Sequence, residues 1–120
     1  MRFRPEQHLR RQGDFRAVRE RGRRTDCGAF VLWWLAPAAD APPRPARVGV
    51  VASTAQVGHA VLRARAKRRL REVFRAHQAL VPAGGDMTLV ARNAVNRWEF
   101  SALEKKFAEA CARLSVPRHV

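Results

Sequence analysis

The sequence predicts an α+β fold: a two-layer α/β sandwich with one central sheet of about four strands and three helices, in the order α-β-β-β-α-β-α. Three observations carry that expectation. Residues 29–35, 47–53 and 87–91 are short runs rich in β-branched and aromatic side chains, which read as strands. Residues 60–79 and 100–114 carry apolar positions at helical spacing. The chain has 120 residues and is 47% hydrophobic, enough for one domain with its own core.

The elements follow in order. Residues 1–12 are polar and basic and read as an extended arm. A first helix over 15–21 places Phe15 and Val18 on one side, with Asp14 positioned to cap it and Gly22 to end it. Residues 23–28 fit either a polar link or a short first strand. The strand over 29–35 stops before Pro37. Residues 36–46, with Pro37, Pro42, Pro43 and Pro45, read as a surface loop. After the strand over 47–53, a turn through 54–58 leads into the long helix. Pro82, Gly84 and Gly85 break the chain before the strand over 87–91. Asn96 and Glu99 have the spacing of a capping box. Phe100, Leu103, Phe107, Ala110 and Leu114 then form one apolar stripe. No repeat divides the chain. It reads as one domain over 1–120, folded over about 8–114, with 1–7 and 115–120 flexible.

Charge restricts the partners. Lys and Arg number 24 against 10 Asp and Glu, a formal net charge of +14. A dense polyanion is the natural partner of such a surface. Arg dominates, since the lysines are only Lys67, Lys105 and Lys106. Guanidinium groups pair with phosphate in two-pronged fashion and stack on bases, which suits RNA. Between 61 and 75 stand Arg63, Arg65, Lys67, Arg68, Arg69, Arg71 and Arg75 against the single acid Glu72. On a helix turning about 100° per residue, Leu62, Ala66, Leu70 and Val73 share one face, with Phe74 at its edge. Arg63, Lys67, Arg71 and Arg75 form a row on the other side, with Arg68 beside it. Glu72 sits where it can orient Arg65, Arg68 and Arg69. A solvated charged face and a membrane-surface helix are the competing readings. The second is weaker, because the apolar face is needed for the core.

Other chemistry finds little support. No apolar stretch nears the roughly 18 residues that span a membrane, and the N-terminus does not read as a secretory signal. Cys27 and Cys111 have neither metal nor redox-motif spacing, so a cytoplasmic protein with reduced thiols is expected. His8, His59, His77 and His119 are scattered. No triad order, phosphate-binding glycine loop or metal-ligand spacing occurs. No catalytic residue is expected on the protein.

Arg47-Val48-Gly49, Ser53 and the run Val57-Gly58-His59-Ala60-Val61-Leu62-Arg63-Ala64-Arg65-Ala66-Lys67-Arg68-Arg69-Leu70-Arg71-Glu72-Val73-Phe74-Arg75 resemble the bacterial ribonuclease P protein family. Upstream, residues 9–18 resemble its first helix, and 86–114 its ending. The resemblance implies a left-handed βαβ crossover. It implies that Arg63, Arg65, Lys67, Arg68, Arg69, Arg71 and Arg75 face the catalytic RNA. It further implies that a cleft holding Phe15, Val31, Trp33 and Ser53 takes the 5′ leader of precursor tRNA. Core packing is the alternative for Phe15 and Trp33, and Trp34 points to the core by alternation. The partners implied are ribonuclease P RNA and precursor tRNA, with no membrane and no stable protein partner. Mg²⁺ is implied, bound mainly by the RNA subunit, which carries the hydrolysis.

Several positions depart from the family pattern. Its Arg-Asn-Arg has Ala64 in the middle here, and His59 replaces an Asn. Thr54-Ala55-Gln56 stands in place of Lys-Lys, and Arg19 in place of a second aromatic of the first helix. These departures predict retained RNA docking with leader recognition that is less base-selective and more phosphate-driven. A ribosomal-protein-like RNA binder and a self-sufficient nuclease are the rival functions.

Overall fold

The computed structural model describes residues 7–114. Helix α1 (Gln12–Arg21) is followed by strands β1 (Arg23–Asp26), β2 (Phe30–Leu35) and β3 (Arg47–Val51). A short helix α2 (Thr54–Val57) precedes the long helix α3 (Ala60–Ala76). Strand β4 (Asp86–Ala91) and helix α4 (Phe100–Leu114) complete the chain, with 3-10 turns at Gln78–Leu80 and Asn93–Asn96. The mixed α+β class and the order of the main elements agree with expectation.

The sheet order is β1-β2-β4-β3. β1 and β2 are antiparallel, as are β2 and β4, while β3 and β4 run parallel and are joined through α3. Residues 23–28 therefore begin with a true strand. Alternation along the strands separates two faces. Phe30, Leu32, Trp34, Val48, Met87 and Leu89 point into the core beneath α3 and α4. There they meet Ala66, Leu70, Val73 and Phe74 of α3 and Leu103, Phe107 and Ala110 of α4. Trp34 is in this core, as alternation requires. α1 lies across the other face through buried Val18 and half-buried Phe15.

Several local expectations are corrected. α1 begins at Gln12 with no side-chain cap, and Asp14 lies inside its first turn, 3.7 Å from Arg47. Gly22 does end the helix. A Cβ there would sit 2.2 Å from the Val18 carbonyl oxygen and 2.9 Å from that of Trp34, so only glycine fits this close approach. The turn at 54–58 contains a helical turn capped by Ser53, whose Oγ accepts from the Gln56 N–H at 3.2 Å. α3 ends at Ala76, earlier than the periodicity suggests, and a 3-10 turn follows. The capping box does not form. Asn96 Nδ2 donates to the Leu62 carbonyl at 3.0 Å, so its amide ties the turn to α3 instead.

The described part of the N-terminal arm begins at Gln7 and packs against the domain. Gln7 is buried and its Nε2 donates to Gln78 Oε1 at 2.8 Å. His8 bridges Val48 in parallel, and the Leu9 N–H donates to the Val48 carbonyl at 2.9 Å, so the arm lies along the outer edge of β3. Gln7, expected to belong to the flexible arm, is placed against Gln78. The expectations for 1–6 and 115–120 fall outside the described residues.

Candidate RNA interface

Two surfaces bear the expected residues. The first is one flank of α3. Ala66, Leu70, Val73 and Phe74 anchor the helix in the core, which fixes its rotation. Ala60, Arg63, Ala64, Lys67 and Arg71 then line one shallow recess. Ala64 is exposed there and leaves a gap between the cations. Arg63 Nε is buried without a hydrogen-bond partner. Arg65 and Arg68 are exposed on the same helix but do not line the recess.

Two of the expected RNA-facing cations are engaged by the protein. Arg75 pairs with Glu72 at 2.9 Å, three residues away, which also lowers the Glu72 carboxyl pKa. Glu72 thus pairs with Arg75 rather than orienting Arg65, Arg68 or Arg69. Arg69 turns toward α4: its guanidinium donates to the Trp98 carbonyl and lies 6.0 Å from the Phe100 ring centroid. Its Nε is buried without a partner. Arg69 joins two helices and is withdrawn from the cationic row.

His8 was not legible as a site residue. The pairing of the arm with β3 brings it close to α3. Burial lowers its pKa first, and the charges of Arg10 and Arg71 lower it further. No local pattern announces that pairing, because a single residue bridge has no periodicity.

The second surface is a cleft between α1 and the far face of the sheet. Strand register puts Arg24, Trp33, Thr88 and Gly49 in one row across it. Asp26, Val31, Val90 and Val51 form the next row. Gly49 has no side chain, and the Phe15 ring occupies the space. A Cβ on Gly49 would lie 2.3 Å from Phe15 Cε1 and 2.4 Å from Cζ. Phe15, Trp33, Val51 and Val90 are half-buried, so the cleft is partly open. Val31 is only 7% exposed and serves as floor. Ser53 is exposed beyond β3, where its hydroxyl caps α2.

Ion pairs fix the cleft's borders. Asp86 is buried and accepts two hydrogen bonds from Arg47, at 2.9 and 2.8 Å, and one from Arg44 at 3.0 Å. Arg47 also reaches Asp14, which holds α1 over β3 and β4. Asp26 accepts from Arg92 at 2.9 and 3.0 Å and from the Gly28 N–H at 2.8 Å. Those bonds hold its carboxyl at a pKa of about 2.

Among the described residues, no three His, Cys, Asp or Glu side chains converge as a metal site. The His77–Glu104 contact, 2.8 Å, ties the end of α3 to α4. Burial pushes the Cys27 thiol up to about 11 and that of Cys111 to about 12. No helix among the described residues is long and apolar enough to cross a membrane.

A small basic α+β domain with a cationic helix flank and an aromatic-edged cleft has the form of a nucleic-acid-binding protein. The Ribonuclease P family model matches residues 3–115. A relative from Acidothermus cellulolyticus, named Ribonuclease P protein component, is 36% identical over 111 residues, covering 92% of this chain and 90% of its own length. One of the same name from Thermobifida fusca is 32% identical over 121 residues, covering 95% and 80%. The solved ribonuclease P protein of Thermotoga maritima superposes with a TM-score of 0.75 at 24% identity, over 91% of this chain and 98% of that one. That of Staphylococcus aureus gives 0.73 at 21%, over 92% and 96%. The chain belongs to the ribonuclease P protein family.

Proposed function

We propose that the chain works as the protein subunit of ribonuclease P, the ribonucleoprotein that removes the 5′ leader from precursor tRNA. The α3 flank docks on the RNA subunit, and the α1–sheet cleft holds the leader. One observation supports this reading above the others. The cationic flank and the aromatic cleft are separate surfaces, joined through Ser53 and α2, so one molecule can hold two RNA segments at once.

Arg63, Lys67 and Arg71 neutralise backbone phosphates of the RNA subunit, with Arg65 and Arg68 as outlying contacts. Each neutralised phosphate releases counterions, so docking weakens steeply with salt. Phe15 and Trp33 offer ring faces on which unpaired bases stack, a contact that tolerates any base. Ala64 offers no side-chain hydrogen bond inside the recess, which favours phosphate contact over base selection there.

Mg²⁺ supplies charge stabilisation for phosphodiester hydrolysis. Among the described residues no three carboxylate, imidazole or thiol side chains converge to hold it, and the RNA phosphates are its natural ligands. The protein's cations lessen phosphate repulsion and with it the Mg²⁺ that the assembly requires. The reaction takes place in the cytoplasm, where precursor tRNA is made.

The test is precursor-tRNA cleavage at low Mg²⁺ with protein alone, cognate RNA alone, and both. Cleavage by the mixture beyond that of the RNA alone is expected. Cleavage by protein alone would make it a self-sufficient nuclease. No stimulation of the RNA would leave it a generic RNA binder.

A further inference from the structure

The cleft has two ends. At the β3 end, Val51 and Ser53 lead on to α2 and the cationic flank of α3. At the other, the sheet stops at β1, three strand spacings away, about 14 Å at roughly 4.8 Å per strand. We propose that Arg19 and Arg24 form a phosphate clamp at the β1 end, taking the backbone of the RNA leader where it leaves the sheet. This rests on the leader-cleft reading above and adds to it a binding site for the strand's exit.

Register places Arg24 directly beside Trp33. Paired residues in a sheet present their side chains on one face, with Cβ atoms about 5 Å apart. The guanidinium therefore borders the indole on the cleft side. α1 brings Arg19 to the same end. Its first turn reaches β3, through Asp14 to Arg47 and Phe15 to Gly49. Its end, Gly22, lies against the Trp34 carbonyl of β2. The helix thus crosses the sheet from β3 toward β1. Arg19 follows Phe15 by four residues, so the two share a flank. Asp14 lies on the opposite flank with Arg47, and Glu20 points away from both.

Neither cation is held in a close ion pair among the described residues. The Arg19 side chain is exposed and makes no hydrogen bond or ion pair with the described residues. Arg24 pairs only loosely with Asp26, at 4.0 Å, the outer limit of an ion pair. Asp26 already accepts two bonds from Arg92 and one from Gly28. Between the two cationic ends lie the apolar floor of Val51, Val90 and Val31 and the rings of Phe15 and Trp33. Bases on rings and phosphates on flanking cations is the arrangement single strands favour.

The experiment uses the holoenzyme reconstituted with its RNA. Affinity is measured for mature tRNA and for precursors whose leaders lengthen one nucleotide at a time, across a salt series. Wild type should gain affinity with leader length until the strand has crossed the sheet. The Arg19→Gln/Arg24→Gln double variant should stop gaining at a shorter leader. It should bind long leaders about tenfold more weakly at low salt and lose about 1.4 from the salt slope, two single-strand contacts at ~0.7 each. Mature tRNA affinity and the thermal midpoint should not move, and Arg24→Lys should keep the slope. A double variant with unchanged plateau and slope, beside a wild type that gains with leader length, overturns the clamp alone. A wild type that gains nothing with leader length overturns the leader cleft and the clamp together.

Discussion

Gly49→Ala isolates the contact on which the cleft is built. The added methyl would meet Phe15 Cε1 at 2.3 Å and Cζ at 2.4 Å, with Leu9 Cβ at 3.1 Å. Carbon atoms in contact rest at about 3.5–4.0 Å, so the ring must retreat by more than 1 Å. Phe15 is half-buried and can swing outward, but it then leaves the sheet. Overpacking of this kind costs about 1–3 kcal/mol. At about 4–8 °C per kcal/mol for a domain near this size, the midpoint should fall by roughly 4–24 °C. If the ring stacks a leader base, displacing it forfeits about 1–3 kcal/mol of binding, roughly 5- to 150-fold.

A double-mutant cycle reads both effects. In a Phe15→Ala background the ring is gone, so Gly49→Ala should cost little beyond the contact with Leu9. The two substitutions should therefore be strongly non-additive in thermal unfolding. Precursor-tRNA affinity should fall in each single variant and fall no further in the double one, while mature-tRNA affinity holds. Additive stability losses, or a Gly49→Ala protein with wild-type midpoint and leader affinity, would refute the packing argument.

Other perturbations separate fold from binding. Asp86→Asn removes a charge that three guanidinium hydrogen bonds converge on; because Arg44 and Arg47 are partly solvated, the loss should be about 2 kcal/mol by chemical denaturation. Arg69→Ala should lower the thermal midpoint by breaking the α3–α4 link, whereas Arg68→Ala should leave it unchanged and weaken RNA-subunit binding in filter or fluorescence titrations. Cys27 and Cys111 should resist a thiol reagent at pH 8 until the protein unfolds, since burial holds both well above that pH. His8 has a folded pKa below its usual 6.5, so its contribution to stability is complete above pH 6.5 and is lost as pH falls through the lowered value. On the proposed reading RNA phosphates lie beside Arg71 and would favour the imidazolium, so RNA-subunit affinity should rise as pH drops below 7, and His8→Ala should remove that rise.

What the sequence disclosed and what it hid divide along physical lines. Branched and aromatic runs located β2, β3 and β4, because a buried strand must be apolar on at least one face. Helical spacing located α3 and α4 for the same reason. Alternation separated Trp33 from Trp34 correctly. Most of the missed features depend on contacts distant in sequence. Asn96 matched a capping box, yet a carbonyl of α3 competes for its amide. Arg69 looked like part of the basic row, yet Trp98, 29 residues on, accepts from it. Gln7 and His8 read as a loose arm, because their partners in Gln78 and Val48 are invisible to any local pattern. The assignment of individual cations to RNA suffered most, since exposure and pairing are set by neighbours rather than by spacing.

That sorting of cations explains how α3 can be both core and interface. Like charges at i, i+4 repel by a few tenths of a kcal/mol per pair. A helix carrying seven of them would be poor if all stood free. Arg75 is offset by Glu72, and Arg69 is committed to Trp98 and Phe100. The strain is then concentrated in Arg63, Lys67 and Arg71, whose anchored helix cannot rotate them apart. These three gain most from a polyanion. Their docking stabilises the folded state by mass action, because the unfolded chain does not present them in a row. On the proposed reading the apolar face of α3 therefore supports binding as well as folding, by holding the cations at fixed spacing before the RNA arrives.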